Sequence, residues 1–189
     1  MSAEDRNLWD RRWRDGTHGS MEVAPFLRSL DALLPRFGAA LEVAGGRGWN
    51  ALWLARRGLD VTLVDVSPVG LSLARECAAT DGLILATLER DLEEDPLPPG
   101  PFELVTCFHF LRRPLFREMV AALAPGGLLV VEIMTRRNLE RHASPSERFL
   151  LEEGELPGLV AGLEVLSHDE AWRPSARHEA RIVAREPAR

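Results

Sequence analysis

The sequence contains no tyrosine, no lysine and no glutamine, and every one of its 23 basic side chains is arginine. A Tyr–Lys pair of the kind that serves hydride chemistry is therefore impossible. Genome composition and heat adaptation would both produce such a bias. Cysteine is scarce: Cys77 and Cys107 sit in apolar stretches without CxxC or Cys/His ligand spacing, which points to a reducing compartment and no metal site. Positive charge is in deficit. At a formal net charge of -6 the chain lacks the clustered basic surface that gains from counterion release, so no nucleic-acid partner is expected. No apolar run reaches bilayer length and the N-terminal MSAEDRNLWDRRWRDG has no apolar signal core, so no membrane partner is expected and the reading is a cytoplasmic protein. Internal repeats and long low-complexity linkers are missing too, and 189 residues fit one domain with its own core.

What is present alternates between short apolar runs and helical patterns. Ala40 to Ala44, Val61 to Asp65, Leu83 to Leu88, Glu103 to Phe108 and Leu128 to Met134 read as strands. A helix from Asn50 to Arg57 ends at Gly58, and Ser67-Pro68 supplies an N-cap and first-turn proline for a helix reaching about Ala79. Another, from about Pro114 to Leu123, stops at Pro125-Gly126-Gly127. Such alternation predicts parallel strands joined by right-handed crossovers. Leu163 to Ala171 and His178 to Arg185 are separated only by WRPSAR, too short for a crossover helix, so they should pair antiparallel. The expected fold is α/β: an open, mostly parallel seven-stranded sheet with helices on both faces and a C-terminal antiparallel hairpin. In its last strand Glu179 and Arg181 alternate with Ala180 and Ile182, as on a strand with one wetter face.

The informative segment is LEVAGGRGWNALWLARRG, a strand running into glycines and then a helix. Gly46 and Gly48 allow a tight turn and close approach to a ligand, and the helix that follows offers free N–H groups at its positive end. Gly46 to Ala51 also spells GxGxxA, which a dinucleotide would accept, and a nicotinamide-dependent oxidoreductase is the rival enzyme reading. Against it, Glu42 puts a carboxylate beside the glycines, unfavourable for a pyrophosphate and suited to a cation. Asp65 ends the next strand, where an acidic residue accepts from ribose hydroxyls. Asp65→Ala should then cost ligand affinity and leave folding intact. Asp91 falls at the neighbouring tip and is a candidate acceptor for an adenine amino group; a solvated acidic turn is the plainer alternative.

EVAGGRG resembles the first motif of class I S-adenosylmethionine-dependent methyltransferases, with Glu42, Gly46 and Gly48 matching and Ala44 in place of the usual first glycine. LVDVSP is similar to the second motif, RDLEE to the third, and LAPGGLLVVE to the turn and strand that follow. NALWLARRG with FHFLRRPLF looks like the small bacterial members related to tellurite-resistance and thiopurine methyltransferases, with Gly45 where cysteine is usual. The resemblance implies a Rossmann-like methyltransferase fold, with residues 1–38 a helical lid or cap and 39–189 the cofactor-binding core of a single domain. It implies S-adenosylmethionine as cofactor, S-adenosylhomocysteine as product, and a small-molecule acceptor with a soft or anionic nucleophile. It assigns cofactor contacts to Glu42, Gly46, Gly48, Asp65, Val66, Asp91, Leu92, Cys107 and Phe108. A protein that binds the cofactor without catalysis is the second alternative.

Strand tips line the ligand crevice in an open sheet, so Cys107, Phe108 and His109 should reach the transferring methyl. His109 is the candidate general base. A polar lining role is its alternative. Cys107 reads as a buried strand residue, not a nucleophile. Trp9 and Trp13 share one helical face and either cover the pocket or dock the N-terminal helix. Arg113 and Arg136 follow the fourth and fifth strands and are candidates to clamp an anionic acceptor, or to pair with surface carboxylates.

Overall fold

The computed structural model describes residues 3–16, 22–143 and 145–188. Seven strands form one sheet in the order β3-β2-β1-β4-β5-β7-β6. They are β1 (Ala39–Val43), β2 (Asp60–Asp65), β3 (Ala86–Glu89), β4 (Phe102–Phe108), β5 (Leu123–Met134), β6 (Glu164–Trp172) and β7 (His178–Arg185). The first five pair in parallel, whereas β7 runs antiparallel to both β5 and β6. The predicted hairpin therefore closes the sheet, and its second strand lies inside, between β5 and β6.

Helices α1 (Ala3–Asp15), α2 (Pro25–Ser29), α3 (Trp49–Arg56), α4 (Pro68–Thr80), α5 (Leu115–Ala121) and α6 (Leu156–Leu159) complete the architecture. Ser67 caps α4 as its sequence predicts, its hydroxyl accepting from Gly70 N–H at 3.1 Å. Both sheet faces are covered because strand residues alternate between two apolar clusters: Leu41, Val105, Leu129 and Ile182 pack with Phe116 and Met119, while Ala40, Leu104, Val130 and Val183 pack with Leu27, Leu52 and Ala74.

Three expectations change in detail. The third strand begins at Ala86, not Leu83, because Leu83 N–H is taken by Ala78 O and Gly82 (φ 67°) ends α4 in the left-handed region. β5 begins at Leu123, and the Ala-Pro-Gly-Gly segment bulges between the Phe102–Leu123 and Leu104–Leu128 pairs. The wetter face expected at Glu179 and Arg181 is not wet: Glu179 is 4 % exposed and Arg181 half-buried.

Candidate functional site

The order β3-β2-β1-β4-β5 changes direction between β1 and β4, and the crevice of such a sheet opens there, outside the carboxyl ends of the strands. At the tip of β1 the backbone turns through left-handed conformations at Ala44 (φ 54°), Gly46 (φ 56°) and Gly48 (φ 71°) before entering α3. Gly48 N–H donates to Gly45 O at 2.9 Å, closing the turn. A Cβ on Gly45 would lie 2.7 Å from Glu42 Cγ, so this position is tightly packed over the buried acid.

Asp65 at the end of β2 locks this loop. Its Oδ2 accepts from Gly46 N–H at 2.8 Å and its Oδ1 from Ser67 N–H at 2.9 Å. The carboxylate is 7 % exposed, not the open strand-tip group the sequence suggests. Burial raises its pKa above the ordinary range, with the charge of Asp10 adding to the rise and the N–H donors of Ser67, Gly46 and Val66 opposing it.

Glu42 lies on the face of β1 that meets α3 and is 2 % exposed. Its Oε1 accepts from Asn50 Nδ2 at 3.0 Å, and Asn50 Oδ1 in turn accepts from Ala24 N–H at 2.9 Å. Oε2 is buried with no hydrogen-bond partner among the described residues. Burial pushes the Glu42 pKa up to about 8, with the Asn50 amide and the Ala51 backbone N–H opposing the rise and the charge of Asp65 adding to it. A buried acid with one unused oxygen is costly unless something cationic or donating meets it.

Helix α1 lies across the glycine loop. A Cβ on Gly46 would fall 2.3 Å from Trp13 Cζ2, so the indole rests directly on this glycine. Trp9 stacks on Trp13 with ring centroids 5.6 Å apart, Ser67 Oγ donates to Asp10 at 2.5 Å, and Arg6 pairs with Glu89 at 2.6 Å. These contacts seat α1 on the tips of β2 and β3 and the start of α4. Val66 and Leu92 are buried beneath, and Asp91 Oδ1 accepts from Glu93 N–H at 3.0 Å in the turn after β3.

At the tip of β4, Cys107 is buried, and its thiol is pushed up to about 12 by burial and by the charge of Glu42, so it is no thiolate at neutral pH. Phe108 is half-buried and pairs in register with Glu132. His109 follows in the left-handed region (φ 57°), its N–H donating to Glu132 O at 2.8 Å. Its ring Nε2 is 3.5 Å from Glu132 Oε1, and Arg181 Nε is 2.5 Å from Glu132 Oε2. Arg181 Nη2 lies 3.4 Å from Glu179 Oε2, and Arg173 Nε 3.9 Å from the same atom.

Sequence reasoning found His109 in this group and missed Glu132, Glu179, Arg173 and Arg181. The available signal was charge inside apolar strands, LLVVEIM and HEARIVAR. Ligand atoms of His109, Glu132 and Glu179 lie within 4.8 Å of one another, a spacing a cation could use. The Arg181 guanidinium already supplies positive charge to both carboxylates, which argues against that use.

The two candidate clamp arginines are elsewhere. Arg113 forms a two-pronged pair with Glu155 at 2.5 and 2.7 Å and reaches Leu150 O at 3.3 Å. Arg136 pairs with Glu152 at 2.7 Å and Glu147 at 2.9 Å. Both therefore fasten the segment around Leu150 to Glu155, the plainer of the two roles the sequence allows.

A family pattern described as a methyltransferase domain matches residues 40–127. The ubiquinone/menaquinone biosynthesis C-methyltransferase UbiE of Neisseria meningitidis serogroup C is 34% identical over 99 residues, 48% of this chain and 40% of that protein. The chain spans less than half the length of such curated relatives. Among solved structures, a chain from work on the conversion of a disulfide bond into a thioacetal group during echinomycin biosynthesis superposes with a TM-score of 0.76 at 21% identity, covering 97% of this chain and 92% of that one. TehB from Haemophilus influenzae gives 0.75 at 16% identity, covering 96% and 66%. Residues 40–127 thus resemble a methyltransferase domain, and the sheet, with its β5-β7-β6 closure, shares the fold of solved S-adenosylmethionine-dependent methyltransferases.

Proposed function

We propose that the chain binds S-adenosylmethionine along the tips of β1 to β4 and transfers its methyl group to a small molecule, releasing S-adenosylhomocysteine. The observation that carries this reading is Glu42, a buried carboxylate with an unused oxygen beside a left-handed glycine loop. The residues fit the cofactor. Glu42 would meet its ammonium, Asp65 its ribose, Asp91 and Leu92 its adenine, and the backbone of Gly46, Gly48, Val66, Cys107 and Phe108 would line it. A pyrophosphate would gain nothing from ionising Glu42 and would be repelled once it did, which disfavours a nicotinamide cofactor.

S-adenosylmethionine supplies a methyl already activated by sulfonium, so the protein's share is alignment and exclusion of water. Trp9 and Trp13 serve the second task, covering the loop as a lid. Calorimetry tests the assignment: S-adenosylhomocysteine should bind and raise the unfolding temperature, and stabilisation by NADH alone would overturn it. Accumulation of S-adenosylhomocysteine with a panel of acceptors separates an enzyme from a protein that only binds.

A further inference from the structure

We infer that Arg47 holds the carboxylate of the cofactor's amino-acid end while Glu42 meets its ammonium, so that the glycine loop selects the intact zwitterion against a ligand that keeps its ammonium and has lost its carboxylate. The ligand chemistry rests on the proposed binding of S-adenosylmethionine. Arg47 is a contact that the motif resemblance does not assign.

The two groups share one small piece of backbone. The turn closed by the bond from Gly48 N–H to Gly45 O carries Arg47, and Gly45 packs on the Glu42 side chain. Both side chains then meet the first turn of α3. Glu42 accepts from Asn50 Nδ2 and from the Ala51 backbone N–H, and the Arg47 guanidinium lies over the Trp49 ring, 5.6 Å from its centroid. Acid and guanidinium therefore flank the same end of the crevice, at the tip of β1 where the sheet order reverses.

Each also has hydrogen-bonding capacity that the protein leaves unused. Glu42 Oε2 is buried without a partner, and so is Arg47 Nε. Arg57 and Arg173 bury an unpartnered Nε too, but their other guanidinium nitrogens pair with Asp31 and Asp169. Arg47 has no carboxylate partner among the described residues, although acidic side chains outnumber arginines in this chain by 29 to 23. A half-buried guanidinium that rests on an indole and lacks an anion keeps its planar fork available for one.

In an α-amino acid the ammonium and the carboxylate sit on one carbon, so a ligand whose ammonium reaches Glu42 brings its carboxylate to the same loop. The neighbouring acids Asp65 and Asp10 repel that carboxylate, and Glu42 does so once ionised. Arg47 answers the repulsion from the loop itself. Arg12 of α1, whose guanidinium lies over the Trp9 ring, is a rival on the lid. With Glu42 alone, a dication bearing ammonium and sulfonium would bind at least as well as the intact cofactor. Arg47 reverses that preference, because it attracts the carboxylate and repels the ligand without one.

Calorimetry on the full chain compares S-adenosylhomocysteine with its decarboxylated form, which keeps adenosine, thioether and ammonium. The parent should prefer the intact ligand by about 10- to 100-fold, the range of charge-assisted hydrogen bonds. Arg47→Ala should weaken S-adenosylhomocysteine by about that factor and leave the decarboxylated ligand within a few-fold. Arg47→Lys should keep part of the preference, as a point charge does. Equal losses on both ligands would overturn the inference and give Arg47 the task of holding the turn. A parent without the preference, or a preference that survives in Arg47→Ala, would overturn it as well, and disappearance in Arg12→Ala instead would move the contact to α1. Only failure of both ligands to bind the parent would sink the cofactor assignment itself, and this inference with it.

Discussion

Gly46 N–H donates to Asp65 Oδ2 across 2.8 Å, so the tip of β2 holds shut the loop at the tip of β1. This bond, with its twin from Ser67 N–H to Oδ1, changes what substitution of Asp65 should do. Asp65→Ala would orphan two buried backbone donors and destabilise the fold by about 1–3 kcal/mol, beyond any loss of ribose binding. A denaturant titration checks it. A midpoint equal to the parent's would mean that water replaces the carboxylate at no cost.

Glu42 makes both stability and binding pH-dependent. Its folded pKa of about 8 is raised above its ordinary 4.5, so its contribution is fully present below the unfolded value and is lost as pH rises toward 8. Glu179, raised to about 7 by burial, acts in the same direction. The parent should therefore lose stability between about pH 5 and pH 9 relative to Glu42→Gln. At pH 7 the free protein holds Glu42 mostly protonated. An arriving ammonium should ionise it, and calorimetry in buffers of different ionisation enthalpy should detect proton release that Glu42→Gln abolishes.

Ala44 pays for standing where the family usually has glycine. At φ 54° an alanine is disfavoured by about 1–2 kcal/mol, while the extra freedom of an unfolded glycine offsets about 0.4–1 kcal/mol. Ala44→Gly should then raise stability by about 0.5–1 kcal/mol. Chemical denaturation reads this, and a destabilised variant would show that the methyl packs well enough to outweigh the strain.

Much of the fold was legible because its signals are local. Ser67-Pro68 announces the start of α4, and the short WRPSAR link forces an antiparallel pair. The charged row at the acceptor edge was not legible, because β7 lies between β5 and β6. Only that insertion sets Arg181 beside Glu132, and no local pattern encodes it. The same holds for Arg113 and Arg136: an arginine after a strand looks like a clamp until the chain returns with Glu155 and Glu152 to meet it. Asp65→Ala reads as harmless to folding for a related reason: no local pattern shows that the carboxylate is committed to the N–H groups of Gly46 and Ser67.

The cover that α1 places over the glycine loop governs how a ligand enters. Trp13 lies against Gly46 so closely that a Cβ there would meet its ring at 2.3 Å, and no ligand atom can approach this face of the glycine until the indole moves. The latch is the Asp10–Ser67 hydrogen bond of 2.5 Å. Ser67→Ala would confuse the test, because the same hydroxyl caps α4 through Gly70 N–H. Asp10→Ala removes the latch and keeps the α4 cap, while also taking away a charge that raises the Asp65 pKa. A hydrogen bond to a charged group contributes about 1.5–3 kcal/mol, and partial exposure of Asp10 reduces that, so opening should become about tenfold easier. Stopped-flow tryptophan fluorescence with S-adenosylhomocysteine should then show faster association, in proportion to the larger open fraction. Dissociation should accelerate as well if α1 closes again over the bound ligand. Unchanged rates in both directions would assign α1 to docking alone, with Trp13 moving aside without release of the helix.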